Sequence, residues 1–545
     1  MKTTTMPHGV FVMSSRAHMK SRFNLIGTIF LDNAVILSGD GLEKYLEASP
    51  EADTRRFEEG RFILVEDRGD RGLVKTDALA QDTVYYFTSR AGATFYWAVS
   101  NSLLALTQHI RAEGFTPGFD YAGTLSFFAG NQSLWGGQPL SLQTLIESVR
   151  FVPAGAHLEL TRGDNPSLEV VTSPVSRPAG NYAERLSYYV RLIRGRIAAL
   201  IDTGYRFNLG LSGGIDSRMN FSLMLPFLDN AAVRIHSNKS RVEDFEVVQQ
   251  IQKHYGFKIK GFPSKLQRDS GEHAYGAWQY GTLGVYLPLR VPLRASYVSD
   301  VFNVHGGNFR AGIYHVQPLE KRVKSLTKNF VSKEQAQVVQ QEFLGFFKAL
   351  KIDTRDSIAL DHHYINTRAR FHYGLNWFRQ FDQPLFTPHL SKALFDIYHQ
   401  LEPWQQEGEQ LIHDILQLTD PALIAFPFDS PEKGFSERVK DNAPFLAPVS
   451  SEILPMTVYG RMPAAPEREE DHPDTTETFE RLLNEDVEDA MTRMAGVAPI
   501  IDAAIEEIKE HKASGRTAGR HRYAGLIVAL ARYSSLLDDM PLRKK

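Results

Sequence analysis

Two serines, two glycines and an aspartate fall within the six residues Ser212-Gly213-Gly214-Ile215-Asp216-Ser217. Hydroxyls, backbone N–H groups and a carboxylate at this spacing suit a polyphosphate accompanied by a cation. The flanking residues set the geometry. Phe207 to Leu211 reads as a short buried strand, and Ile215 through Leu225 as a helix. A helix that begins directly after a strand aims unsatisfied N–H groups and the positive end of its dipole at the intervening turn. Such a turn suits an anion, most often phosphate. Gly213 and Gly214 are expected to let the backbone curl round that anion without a Cβ clash. Asp216 repels phosphate by itself and makes sense with a divalent cation between the two.

Other readings use the same residues. One is a glycine-rich turn in an unrelated α/β protein. Another takes Gly210-Leu211-Ser212-Gly213-Gly214 as G-x-S-x-G, the nucleophile elbow of a serine hydrolase, with Ser212 as nucleophile. That reading wants an HGGG-like stretch before the serine. Here His305-Gly306-Gly307-Asn308 follows it, and Asp216-Ser217 is left unexplained.

The elements that must position this turn are legible around it. Residues 24–175 read as mainly β: two strands with a turn at Asp32-Asn33, a strand from Gly60 to Asp67, and a hairpin of Thr83–Phe87 with Thr94–Val99. A helix from Ser102 to Arg111 follows, and a turn and strand close the region at Phe151–Leu160. Ser173 to Gly180 is a proline-rich linker. Asn181 to Asp202 shows helical periodicity and leads into the Phe207 strand. Val233–Ser237, Phe257–Phe262 and Val301–Val304 read as further strands, with an amphipathic helix from Val242 to Tyr255 between the first two. Strands alternating with helices imply a doubly wound parallel sheet, which binds ligands at the C-terminal ends of its strands. Asp244 reads as a helix-start charge, favourable with the dipole. From residue 461 the chain is charged and helical. Asp474–Ala495 and Val497–Ser514 read as solvated helices, and Tyr523–Leu537 as a more apolar helix that packs back.

Composition excludes several classes. The 545 residues carry a net charge of −3 and no cysteine. Disulfides, thiolate metal sites and a cysteine nucleophile are thereby absent, and nothing points to nucleic acid or an anionic membrane as partner. No apolar run reaches the ~20 residues of a membrane helix, and Val10–Met13 is too short for a secretory signal. A cytoplasmic enzyme is the expectation.

The SGGIDS turn resembles the pyrophosphate loop of the N-type ATP pyrophosphatases. The form Ser212 to Arg218 followed by an apolar helix is similar to the asparagine synthetase B family. Further matches to that family lie at Gly60–Asp67, Tyr85-Tyr86, Val99–Leu106 and Val152–Gly155. The resemblance implies an α+β N-terminal-nucleophile-like domain at residues 1–175 and an α/β parallel-sheet ATP pyrophosphatase domain at 176–460. A helical C-terminal region at 461–545 follows. Relatives begin their glutaminase domain with a cysteine. This chain begins Met1-Lys2-Thr3, with Thr3, Thr4 and Thr5 as the nearby hydroxyls, so the first domain is expected to be a scaffold without glutaminase activity.

The same resemblance implies ATP and magnesium as cofactors. ATP would lie on Leu211, Ser212, Gly213, Gly214, Asp216 and Ser217, and on His305, Gly306 and Gly307 after the Val301 strand. Magnesium would fall to Asp216 and to Asn308, which stands where relatives of the H-G-G-D pattern carry aspartate. His305 also reads as a satisfied turn histidine, and the resemblance gives Asp244 a second role, equal to that of a helix-start charge, in the acidic pair that the family carries near its position. Arg368 and Arg370 read as structural more than as phosphate ligands. Ser430-Pro431-Glu432-Lys433-Gly434-Phe435 is similar to the family's K-G-F loop, which would make Lys433 catalytic; its other reading is one solvated lysine among many. The implied activity is ATP-dependent amide-bond formation through an acyl-adenylate. A carboxylate-bearing small molecule or peptide would react with an amine, as in β-lactam synthetases and lasso-peptide cyclases, and a partner protein that delivers substrate is a further candidate. The alternatives are a free-ammonia amidotransferase of glycan modification, a nucleotide-binding pseudoenzyme, and the serine hydrolase above.

Overall fold

The computed structural model describes residues 6–91, 94–130, 139–172, 180–260, 271–282, 300–304, 306, 319–326, 332–356, 358–374, 384–430, 433–450, 452–463 and 476–538. The protein is a mixed α/β structure with two antiparallel-type sheets, one parallel sheet and many helices.

In the first half, a four-stranded antiparallel sheet runs Val12–Ser14, Thr94–Ser100, Tyr85–Ala91, Val149–Phe151. The seven-stranded sheet runs Ser167–Val171, His157–Thr161, Arg71–Thr76, Glu59–Asp67, Phe23–Phe30, Ala34–Ile36, Thr457–Tyr459. Alternation along the strands gives each sheet an inner face. Ile26, Ile63, Val65 and Val74 from one sheet meet Trp97 and Val99 from the other in a shared core. The outer face of the seven-stranded sheet is covered by helix Gly39–Ala48 through Leu42. The outer face of the smaller sheet packs on helix Leu103–Ala112, which Ser102 caps by accepting the Ala105 N–H. The order of layers is therefore helix, sheet, sheet, helix.

Two segments late in the chain complete this half. Thr457–Tyr459 adds in parallel to Ala34–Ile36, the one parallel pairing in its sheet among the described residues. Helices Thr476–Met494, Pro499–Ala513 and Ala524–Leu537 join the core that holds Tyr85, Phe87 and Tyr96. The first two of these were expected to be solvated. They are amphipathic instead: Leu482, Val487, Ala490 and Met494, and Ile501, Ile505 and Ile508, lie buried at helical spacing under a charged outer face. The high charge of that outer face hid the apolar stripe.

The second half holds five parallel strands in the spatial order Ile259–Lys260, Val233–His236, Arg206–Gly210, Val301–Val304, Leu385–Phe386. Numbered along the chain, these stand 3-2-1-4-5. The expected strands are all present, each within a residue or two of its reading; of Phe257–Phe262 the described part is paired at Ile259–Lys260, and 261–262 lie outside the described residues. The fifth strand is two residues long and carries no periodicity to detect. Helices Tyr182–Asp202 and Gln410–Thr419 pack on this sheet, with Phe207, Leu209, Phe221 and Phe302 at the centre of the core.

The halves share an apolar core, with Phe30 edge-on to Phe386 at 5.6 Å, and are joined by polar side chains as well. Gln81 Nε2 donates to the Leu390 carbonyl at 3.1 Å, and Thr387 Oγ1 donates to Gln81 Oε1 at 3.0 Å. Glu59 accepts from Ser391 Oγ and the Ala393 N–H, Asn366 from the Ala154 N–H at 2.8 Å. Among the described residues no helix is long and apolar enough to cross a membrane.

Candidate functional site

Arg206–Gly210 is the first strand of its sheet along the chain, and its neighbours on the two sides are reached by connections running in opposite directions. This reversal of strand order opens a crevice at the strands' C-terminal ends, where open α/β sheets bind ligands. Leu211 leaves the strand with its N–H still bonded to the His236 carbonyl at 2.8 Å. Ser212, Gly213 and Gly214 make the turn, and helix Ile215–Met224 starts with no side chain capping it at Gly214.

The turn is braced from within. Ser217 Oγ accepts the Ser212 N–H at 3.1 Å and lies 3.0 Å from Ser212 Oγ, which in turn accepts the Gly214 N–H at 3.2 Å. Among the described residues Ser212 Oγ bonds no histidine, so the hydrolase reading of Ser212 gains no base. Asp244, buried in the first turn of helix Val242–Tyr255, accepts the Gly213 N–H at 2.8 Å. Asp244 thus acts across to the turn as well as at its own helix start.

Neither turn glycine is required by its backbone dihedrals. Gly214 has φ −83°, ordinary for any residue, and Gly213 is not in the left-handed region either. A Cβ on Gly213 would stand 2.6 Å from Asp429 Cβ and 3.0 Å from the Asp429 backbone nitrogen. Gly213 is therefore required by the chain that lies against it. A Cβ on Gly214 would meet only Ser212 Oγ at 3.4 Å, an ordinary contact.

Asp216 is 41% exposed in its side chain. Gly306, which follows the Val301–Val304 strand, faces it: a Cβ on Gly306 would come 3.8 Å from Asp216 Cβ. The two motifs are so brought together across the crevice. His305, Gly307 and Asn308 lie outside the described residues. His389, after the fifth strand, is buried; its Nε2–H donates to the Asp216 carbonyl at 3.1 Å and its Nδ1 lies 3.9 Å from Asp216 Oδ1. Sequence reasoning missed His389, because the two-residue strand Leu385–Phe386 that brings it to the crevice left no pattern to detect.

Lys433 comes to the turn by way of Arg218. Arg218 is buried one helical turn into the motif helix and donates to the carbonyls of Leu423, Phe426 and Pro427. Its guanidinium lies 3.9 Å over the Phe428 ring, a favourable cation–π distance. Burial pulls its pKa down to about 10, with the Asp429 charge opposing, so it stays protonated at neutral pH. Phe428 then packs on Gly434, whose φ of +123° and contact 2.7 Å from a built Cβ both demand glycine, and lies edge-on to Phe435 at 5.5 Å. With the loop so held, Asp429 donates its N–H to the Gly213 carbonyl at 3.3 Å. Lys433 Nζ pairs with Asp429 Oδ2 at 2.5 Å while its side chain stays 56% exposed. Arg218 was read only as the end of the motif, and Asp429 was not singled out.

A divalent cation fits this set in one form only. Among the described residues no group of three potential ligands is assembled, so a cation here would take Asp216 together with ligand phosphates, the arrangement magnesium favours. Arg370, by contrast, is structural: it is buried, donates to the Val152 carbonyl at 2.8 Å, and burial draws its pKa down to about 10.

No protein-family model matches the chain, and comparison with curated proteins gives no match.

Proposed function

We propose that the chain is an ATP-dependent synthetase that forms an amide bond through an acyl-adenylate, similar to the asparagine synthetase B family. The observation that carries the reading is the uncapped helix Ile215–Met224 at the reversal point of a parallel sheet, with Asp216 facing Gly306 and a lysine loop resting on Gly213. An anion-binding turn, an exposed carboxylate and a nearby ammonium are the parts adenylation needs. In that reaction a substrate carboxylate oxygen attacks the α-phosphorus of ATP, the bond to the β-phosphate oxygen breaks, and pyrophosphate leaves. An amine nitrogen then attacks the acyl carbon and AMP departs.

The first-turn N–H groups of helix Ile215–Met224 would bind the departing phosphates, since those of Ser212, Gly213 and Gly214 are bonded within the protein. Lys433 would offset charge that grows on them. Magnesium, when bound, would neutralise further phosphate charge, and Asp216 is the residue to hold it. The layered antiparallel half supports reading that region as an N-terminal-nucleophile-like domain. With no cysteine in the chain, that domain is read as a scaffold, and the amine as coming from a source other than glutamine. The carboxylate substrate is a small molecule or a peptide.

Calorimetry with magnesium and ATP tests the reading. The wild-type protein is expected to bind, and Asp216→Ala to bind at least about tenfold more weakly, equivalent to about 1.4 kcal/mol. Equal affinity in the two proteins would remove the assignment.

A further inference from the structure

Asp429 puts a carboxylate against the turn that is read as a phosphate site, which opposes the purpose of such a site. Its backbone N–H bonds the Gly213 carbonyl, and its Cβ packs where a side chain on Gly213 would stand. Its Oδ2 takes Lys433 Nζ, and its Oδ1 is buried with no hydrogen-bond partner among the described residues. An unpartnered buried carboxylate oxygen is unfavourable, so its retention calls for a role.

We propose that Asp429 is a positioning residue: it holds the Lys433 ammonium beside the turn but withholds it from the phosphates of bound ATP until charge builds on the leaving pyrophosphate. This rests on the proposed nucleotide site. The argument is one of differential binding. A lysine that paired fully with ground-state ATP would tighten ATP binding and leave the reaction barrier where it was. A lysine already paired with a carboxylate gains little from the ground state. It gains more from the transition state, where the phosphates carry more charge. The pair must be weak enough to exchange, and with Lys433 56% exposed it is a pair of the weak class. The loop itself need not move, because Phe428 and Phe435 anchor it through Arg218 and His413. Only the lysine side chain must turn from one partner to the other.

The test is a double-mutant cycle on affinity, read by calorimetry with inorganic pyrophosphate and with ATP, each with magnesium, using the full chain. Asp429→Asn is expected to bind both anions more tightly than wild type, by up to about fivefold. In the Lys433→Ala background the same change should give a clearly smaller gain, because no freed ammonium is present to collect. Lys433→Ala alone should leave ATP affinity within about twofold of wild type, since the lysine is held back in the ground state, and should weaken pyrophosphate binding, since that anion carries the charge that recruits the lysine. Asp429→Ala, which keeps the Cβ against Gly213 and the backbone bond, repeats the experiment should the asparagine variant fold poorly, and melting curves establish folding for each. An equal gain with and without Lys433 would reduce Asp429 to a nearby repelling charge and overturn the proposal. No gain, or weaker binding, in Asp429→Asn would do so as well. If wild type binds neither anion, or Asp216→Ala binds both as wild type does, the nucleotide reading itself falls and takes this inference with it.

Discussion

In the antiparallel half Arg61 and Asp82 close a two-bond ion pair, at 2.6 and 3.2 Å, with neither side chain more than 1% exposed. In the parallel half Lys433 and Asp429 make a single bond with the lysine 56% exposed. The first pair sits in the interior beside Asp77 and Gln81, and its neighbours run on to Thr387 and Leu390 of the other half. The second sits at the open end of a parallel sheet. A fully desolvated pair is fixed, because moving either member strands the other in a low-dielectric interior. The second pair is exchangeable from the lysine's side, because water compensates the 56%-exposed ammonium on separation, while Asp429 is only 15% exposed. Charge in the first half serves to join the halves, and charge in the second is available to a ligand.

The largest effect should come from breaking the fixed pair. Arg61→Ala takes the guanidinium away from the fully buried Asp82 and is expected to lower stability by about 3–5 kcal/mol. The measurement is the denaturant midpoint. The paired change Arg61→Met with Asp82→Leu should recover most of the loss, since an apolar pair needs no compensation. In the half-solvated pair, Lys433→Ala should move the same midpoint by less than about 1 kcal/mol. A loss at Lys433 as large as at Arg61 would erase the distinction between the two regions.

How much of this was legible depends on how local the signal was. The turn at Ser212–Ser217 and its strand and helix are contiguous, and period and glycine placement located them within a residue. The meeting of Asp216 with Gly306 followed from both standing after parallel strands. The contact between Asp429 and Gly213 joins residues far apart in sequence, and it is set by Arg218 gripping the Leu423 carbonyl of the short helix Ala422–Ala425 and the Phe426 and Pro427 carbonyls that follow it. No periodicity encodes that grip. The strand Thr457–Tyr459 was hidden for a related reason: three residues with mixed exposure take their conformation from the edge they join. The C-terminal helices misled through composition, since the charge on their outer faces masked one apolar stripe each.

A smaller effect separates the two motif glycines. Gly213→Ala should push Asp429 and its loop off the turn, at about 1–3 kcal/mol for the overpacking. Gly214→Ala should leave stability within about 0.5 kcal/mol, since its Cβ finds an ordinary contact and its φ is unremarkable. ATP affinity should fall in both, in the first through the displaced loop and in the second through a methyl group at the ligand's side of the turn. Thermal melting beside calorimetry reads both quantities. A stable Gly213→Ala protein would mean that the loop does not lie against the turn in solution.

The last effect is one of pH: it concerns the seam between the halves and depends on two histidines and a carboxyl that act with opposite sign. His363 is buried among Phe343, Phe346 and Phe347; its Nε2–H donates to the Leu140 carbonyl at 2.8 Å. Burial pulls its pKa from 6.5 down to about 3, and burial with the nearby His399 does the same to His362. Each is neutral in the fold and takes a proton on unfolding below pH 6.5, so its contribution is present above that value and is lost as pH falls toward about 3. Asp77 runs the other way. Burial, and after it the charge of Asp82, push its carboxyl from 3.8 up to about 7. The fold then holds a proton that the unfolded chain releases, so this contribution is full below pH 3.8 and is lost as pH rises through about 7. Between about pH 4 and 6.5 two histidines oppose one carboxyl, leaving a net uptake of about one proton on unfolding from these groups. Stability should therefore rise with pH across that window, by about 1.4 kcal/mol per unit. Asp77→Asn removes the opposing contribution and should steepen the rise by about one further proton, whereas His363→Gln should flatten it. Urea midpoints measured at half-unit steps of pH resolve the slopes. A wild-type slope unchanged by Asp77→Asn would show that this carboxyl is ionised in the fold, held so by the Leu79 and Gln81 N–H groups that bond it.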